Sequence, residues 1–120
     1  KIMLAILADG LGGHNAGDVA SEMAVVQFEK YFMEAAATIF ESEDTIKKWL
    51  EQSVSILNYE MYQYSLTHDN CNGMGTTLIV AVITNNKQIV VSHVGDSRVY
   101  TFTNDETLAV TSDHAYVKML

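Results

Sequence analysis

The fold of this chain is decided by the stretch Asp9-Gly10-Leu11-Gly12-Gly13-His14-Asn15-Ala16-Gly17. It follows an apolar run over residues 2–8 and precedes a segment in which apolar residues recur at helical spacing. A continuous apolar run that ends at Asp-Gly is typical of a buried strand followed by a turn. Because glycines let a backbone approach a ligand closely, this loop is the first candidate for a functional site.

Two nucleotide-binding motifs are excluded by individual residues of this loop. A P-loop needs a Lys directly after the second of its two spaced glycines, and here Asp18 follows Gly17. A dinucleotide fingerprint needs a third glycine, and Asn15 occupies that place. Two interpretations remain open on the residues alone. Asp9 either ligates a hard cation such as Mg²⁺ or Mn²⁺, with backbone carbonyls nearby, or it belongs to a plain turn.

The rest of the sequence predicts two long helices and then antiparallel strands. The first helix is predicted to begin at Asp18 as N-cap, and the second near Ser42, with acidic residues in its first turn. The later predictions are a strand over 76–84, a two-residue turn at Asn85-Asn86, strands over 87–94, 98–103 and 107–111, corners at Gly95-Asp96 and Asn104-Asp105, and a last helix from Asp113 or His114. This order indicates an α+β fold with helices packed on a sheet.

Composition limits the classes of function. The 120 residues carry a formal net charge of −8, which argues against a nucleic-acid-binding surface, since phosphate contacts need clustered Lys and Arg. The only cysteine, Cys71, cannot form an intrachain disulfide. The apolar run over residues 2–8 is short for a signal peptide, and we interpret it as a strand. No apolar run in the sequence has the length of a membrane helix. We therefore expect a cytoplasmic protein.

Four stretches, in order and spread over nearly the whole chain, resemble the protein phosphatase type 2C (metal-dependent, or PPM) family in its bacterial form. They are Ala8–His14 with Gly17 and Ala20-Ser21, Gly73-Met74-Gly75-Thr76-Thr77, His93–Tyr100 with its Gly95-Asp96-Ser97-Arg98 core, and Thr111-Ser112-Asp113-His114. The resemblance implies a partial four-layer α-β-β-α sandwich, in which antiparallel sheets are flanked by helix pairs. It also implies hydrolysis of phosphoserine and phosphothreonine in proteins, the targets of a cognate kinase. The cofactors it implies are two Mn²⁺ or Mg²⁺ ions that activate a water, with a third, weaker ion in bacterial members.

The resemblance assigns roles to individual residues. Asp9 is similar to the carboxylate that bridges the two ions, and Gly10 to the neighbour whose carbonyl oxygen supports one of them. Asp96 resembles an acidic ligand of the third ion, although a turn aspartate fits the same position equally well. His14 belongs to the motif, and we expect it to orient the loop by hydrogen bonds. Animal relatives have a histidine directly after Asp-Gly; here Leu11 stands there, so a general-acid role is not transferred.

Residues 1–120 are expected to form part of a catalytic domain. The family has an Arg and an acidic residue upstream of the first motif, and further Asp-Gly and Asp-Asn motifs near its C-terminus, and none of these occurs here. We therefore expect the chain alone to be inactive and to form a homodimer through surfaces that the rest of the domain would cover.

Two other functions are compatible with parts of the sequence. Gly95-Asp96-Ser97 is similar to the nucleophile motif of one group of esterases, but the serine comes late in the chain, and Asp113 and His114 are adjacent rather than spaced as a triad requires. A non-catalytic, regulatory phosphatase domain is the main alternative. The retained Asp9 argues against it, and the downstream aspartates of the full protein would decide between the two.

Overall fold

The computed structural model describes residues 1–11, 15–85, 88–95, 100–102, 107–109 and 117–119. In chain order the elements are β1 (Met3–Leu11), α1 (Ala16–Glu34), a 3₁₀ turn (Ala37–Glu41), α2 (Glu43–Thr67), a second 3₁₀ turn (Asp69–Cys71), β2 (Gly75–Ile83), β3 (Ile89–Val94), β4 (Tyr100–Phe102), β5 (Thr107–Ala109) and β6 (Val117–Met119). The predicted α+β order of one strand, two long helices and then strands is confirmed.

The main sheet has the strand order β1-β2-β3-β6, and each neighbouring pair is antiparallel. The strands β4 and β5 pair with each other in a separate two-stranded sheet, so the predicted antiparallel strands are divided between two sheets. The predicted last helix is wrong where the structure can test it. Val117–Met119 is a strand that pairs with β3, while Asp113 and His114 lie outside the described residues.

One face of the sheet packs against the two helices and forms the core. Ala20 and Ala24 of α1 are fully buried, and their small side chains let the helix approach the sheet closely. Phe28 makes edge contacts with the rings of Tyr31 and Trp49. The buried residues of this core are Ala20, Ala24, Phe28, Ile46, Trp49, Leu50, Leu57, Met61, Leu78, Val80, Val82 and Val90. The contribution of α2 to this core is a stripe of apolar side chains at helical spacing, Ile46, Trp49, Leu50, Leu57 and Met61.

The opposite face, which we call the outer sheet face, carries apolar side chains as well. Along β1 the residues alternate between half-buried and exposed, and Met3, Leu7 and Leu11 are 55%, 61% and 57% exposed. The predicted strand is confirmed, but the expectation that it is buried is wrong for the side chains on this face. Further along this face, Ile79 and Val91 form a small buried cluster. The side chains of β1 therefore lie alternately on two faces of the sheet, half-buried on one face and exposed on the other.

The ends of the elements refine the predicted boundaries. Ser42 caps α2 as predicted, since its Oγ accepts a hydrogen bond from the Thr45 backbone N–H at 3.2 Å. The helix α1 begins at Ala16, so Asp18 lies in its first turn and is not the N-cap. The connection from β2 to β3 covers residues 84–88 rather than a two-residue turn, and Asn86 within it lies outside the described residues. Neither helix of the described chain has the length and apolar character needed to cross a membrane.

Candidate metal centre

Asp9 lies inside β1, near its end, and its side chain is exposed on the outer sheet face. Its partner across the ladder is Thr77 of β2. The Asp9 backbone N–H donates to Thr77 Oγ1 at 3.2 Å, and the same hydroxyl lies 3.4 Å from the Asp9 carbonyl oxygen, to which it donates. Thr77 therefore fixes the backbone of Asp9, a contact that sequence patterns did not reveal, because the partner lies 68 residues away.

The Asp9 carboxylate has no protein partner among the described residues, from which it accepts no hydrogen bond and with which it forms no ion pair. A carboxylate held on a fixed backbone and free of cationic side chains is available to a metal ion. Carboxylate and carbonyl oxygens are the ligands that hard cations such as Mg²⁺ and Mn²⁺ prefer, so the chemistry of Asp9 and the adjacent Gly10 carbonyl fits such an ion.

Gly10 is the point at which α1 contacts β1. A Cβ atom at Gly10 would lie 1.8 Å from the carbonyl oxygen of Gly17, and a Cβ at Gly17 would lie 3.0 Å from the carbonyl carbon of Gly10. Both glycines are therefore required by the close approach of two backbones. This contact brings the first turn of α1 against the residue that follows Asp9.

Gly95 terminates β3 beside the same site. Its φ of +100° suits glycine, and an added Cβ would lie 2.8 Å from Thr77 Cγ2. Asp9, Thr77 and Gly95 thus form one row across the end of the outer sheet face, which we call the Asp9 row. Gly95 is the residue directly before Asp96, and it lies beside Thr77, the cross-strand partner of Asp9. Asp96 itself and His14 lie outside the described residues, so their predicted roles stay predictions.

The described residues contain no group of three or more His, Cys, Asp or Glu side chains able to hold an ion. A hard cation takes about six oxygen ligands, so an ion at Asp9 would need further ligands from other residues or from water.

A groove of about 770 Å³ lies between α1 and α2, away from this row. Its lining includes Val19, Val26, Tyr59 and Glu60 but neither Asp9 nor Gly10, so the groove is separate from the candidate metal centre.

The known proteins most usefully compared with this chain are bacterial serine/threonine phosphatases. The chain is 42% identical over 120 residues to a serine/threonine phosphatase stp of Listeria innocua, an alignment that covers 100% of this chain and 46% of the relative. It superposes on the crystal structure of the serine/threonine phosphatase Stp1 from Staphylococcus aureus with a TM-score of 0.83 and 32% identity, covering 92% of this chain and 42% of that one.

A second similar structure contains metal. The catalytic domain of the serine/threonine protein phosphatase PstP, solved in complex with two manganese ions, matches with a TM-score of 0.76 and 28% identity, over 92% of this chain and 45% of that one. The chain thus spans about half the length of the relatives it matches.

The sequence model of the family described as Protein phosphatase 2C matches residues 1–119, from the strand that carries Asp9 to β6. The fold and the relatives agree with this match. The chain belongs to the protein phosphatase 2C family.

Proposed function

We propose that the protein containing this chain is a Mn²⁺- or Mg²⁺-dependent phosphatase that hydrolyses phosphoserine and phosphothreonine in proteins, and that Asp9 is the carboxylate bridging two metal ions. The observation that carries the proposal is the free Asp9 carboxylate, exposed at a strand end and held by Thr77. The named activity of the relatives and the manganese in PstP support it.

The residues of this chain contribute position and charge. Thr77 fixes the backbone of Asp9, and the Gly10–Gly17 contact fixes the direction in which the chain leaves β1. The Gly10 carbonyl would add one oxygen to the ion beside Asp9, and Asp96 would ligate a third ion. His14 would orient, by hydrogen bonds, the glycine-rich loop that follows Asp9 and Gly10. Two divalent ions, when bound, supply a water activated for attack on phosphorus and neutralise charge on the phosphoryl group.

The chain by itself is expected to be inactive. A dinuclear centre needs more oxygen ligands than Asp9, Gly10 and Asp96 provide. Residues 1–120 would therefore be part of a catalytic domain, and the remaining ligands would come from the part of the family fold that the relatives carry in addition. Turnover of a phosphothreonine peptide by the 120-residue chain with Mn²⁺ would contradict this expectation.

The decisive experiment replaces Asp9 in the intact protein. Asp9→Asn keeps the size of the side chain but removes its charge, and Asp9→Ala removes the ligand altogether. Loss of an outer-sphere partner of a metal costs roughly 10–100-fold in activity, so loss of a bridging ligand should exceed that range. Hydrolysis of p-nitrophenyl phosphate and of a phosphothreonine peptide measures activity, and calorimetric titration with Mn²⁺ measures binding.

Asp18→Asn is the matched control, because Asp18 is an exposed carboxylate in the first turn of α1. It should leave Mn²⁺ binding and turnover unchanged. Unaltered Mn²⁺ binding in Asp9→Asn would remove Asp9 from the metal centre. Absence of any hydrolysis by the intact wild-type protein would instead favour the non-catalytic alternative.

A further inference from the structure

His93 is a buried polar residue that the proposed function does not use. It lies in β3 opposite Ile79, with its side chain on the outer sheet face, and it is 1% exposed. Within the part of the chain that the structure describes, neither Nδ1 nor Nε2 has a hydrogen-bond partner. A neutral imidazole carries one donor and one acceptor, so both functions are unsatisfied.

Packing alone does not explain a histidine at this position. Its neighbours on the outer sheet face, Ile79 and Val91, are apolar and buried. A buried donor or acceptor without a partner destabilises a fold, whereas an apolar side chain of similar size would not. Proteins depart from this rule mainly at functional sites, where a destabilising residue serves the chemistry.

The sheet register places His93 in the row of residues next to the Asp9 row. Ile79 and His93 form the pair adjacent to Thr77 and Gly95 on the same face, and Asp9 lies two strands away from His93, beyond Thr77. Two residues along a strand span about 6.6 Å, so the imidazole of His93 can reach Thr77 or the Gly95 carbonyl through one water. An effect of His93 on Asp9 therefore acts through Thr77.

We propose that His93 is a positioning residue of the metal centre: its imidazole, through one water, holds Thr77 in place, and Thr77 in turn holds the backbone that presents the Asp9 carboxylate. The proposal rests on the proposed function, since it needs a metal at that row. It adds a residue with no direct contact to substrate, whose effect is on metal affinity. Such outer-sphere partners typically change affinity or activity by 10–100-fold.

The test compares stability with metal binding in the intact protein. His93→Leu should raise the melting temperature of the metal-free protein by about 2–4 °C, because it removes unsatisfied polar atoms. It should weaken Mn²⁺ binding, measured by calorimetry, by about tenfold or more. At saturating Mn²⁺ the KM for a phosphothreonine peptide should change little, since His93 does not contact substrate. A purely structural histidine would alter the melting temperature and leave Mn²⁺ affinity unchanged.

A second pair of variants separates polarity from shape. Gln and Met have similar length, but only Gln can donate and accept hydrogen bonds. We expect His93→Gln to keep Mn²⁺ affinity within about threefold of wild type and His93→Met to lose about tenfold. Val91→Ala is the control for core packing on the same face. It should lower the melting temperature while Mn²⁺ affinity stays the same.

The possible results separate the two proposals. If wild type binds Mn²⁺ and hydrolyses phosphopeptide while His93→Leu and His93→Met bind Mn²⁺ equally well, the role of His93 is disproved and the phosphatase assignment stands. If wild type binds no Mn²⁺, both are disproved. Equal losses in His93→Gln and His93→Met would also overturn the role, because they would show that shape alone matters.

Discussion

Gly10 has no Cβ atom, and this allows the backbone of α1 to pack directly against β1. Its Cα approaches the carbonyl oxygen of Gly17 so closely that any side chain would meet backbone rather than a movable side chain. Backbone cannot rotate away as a side chain can, so the strand and the helix would have to separate. The residue beside the candidate metal ligand is therefore also the contact that sets the position of α1.

Gly10→Ala is expected to destabilise the fold by about 3 kcal/mol, at the upper end of the cost of overpacking, because the added Cβ would lie 1.8 Å from Gly17 O. Urea unfolding followed by circular dichroism measures the change. The matched control is Gly75→Ala in β2, where an added Cβ meets nothing within 4 Å and φ is not positive. This variant should keep or slightly raise stability. Equal stability of the two variants would contradict the tight contact.

At this scale the sequence singled out Asp9 at the end of a strand but not the residues around it, and the ligand role of Asp9 stays a prediction. Asp9 is recognisable because a carboxylate before glycines at a strand end is a local pattern. Thr77 and His93 act through their places in the sheet register, and no local pattern contains that register. The close contact of Gly17 with Gly10 likewise depends on how a helix packs on a strand.

At the scale of elements, a polar cluster joins the two long helices. The Tyr31 hydroxyl of α1 donates to one carboxylate oxygen of Glu60 in α2, and Gln27 Nε2 donates to the other at 3.0 Å. Burial, and then the hydrogen bond and charge of Glu60, raise the pKa of Tyr31 above its ordinary range. The hydroxyl therefore remains a donor, and the cluster fixes the two helices relative to each other.

Tyr31→Phe should lower the free energy of unfolding by about 1 kcal/mol at neutral pH, because it removes a donor to a partly exposed carboxylate. The effect depends on pH. Below about pH 10 the Tyr31 hydroxyl keeps its proton in both the folded and the unfolded protein. Above that pH the unfolded protein loses this proton first, because the pKa is raised only in the folded state. The difference in the free energy of unfolding between wild type and Tyr31→Phe therefore becomes smaller. Urea titrations at pH 7 and pH 10.5 measure this difference.

Tyr59→Phe provides the control. Tyr59 is 64% exposed in the groove between α1 and α2, and its hydroxyl makes no hydrogen bond to the described residues. Its stability should equal that of wild type at both pH values. A pH-independent loss in Tyr31→Phe would show that the hydroxyl contributes through packing alone.

Element boundaries were predictable where a side chain marks them. Ser42 caps α2 as its sequence indicates, because an N-cap hydroxyl acts within one turn. The strand at Val117–Met119 was predicted as helix, since its assignment depends on pairing with Val90–Ser92, which lies far away in sequence. Local signals therefore determined the helices better than the last strands.

For the whole molecule, the outer sheet face governs behaviour in solution. Met3, Leu7 and Leu11 expose more than half of their surface on one edge strand. An edge strand with exposed apolar side chains offers both unpaired backbone groups and apolar surface to a second copy. The sequence identified these residues as apolar but placed them in a core, because a strand covered on one face and one covered on both have similar composition.

We expect the 120-residue chain to self-associate through this face, with a mass by light scattering above the 13.3 kDa of one chain. Leu7→Lys should shift it towards the monomer, because the charge would be buried in the contact. Met33→Lys makes the same kind of change on α1, where Met33 is 78% exposed, and should have no effect. A monomeric wild-type chain would contradict the expectation.

The pairing of β1 with β2 also has a consequence for the order of folding. Asp9 meets Thr77 across 68 positions, and both long helices lie between them. Closing so long a loop is slow compared with forming helices, whose contacts are local. The helical hairpin should therefore acquire protection from hydrogen exchange before the sheet does, and the backbone that presents the Asp9 carboxylate should be among the last parts of the chain to become ordered.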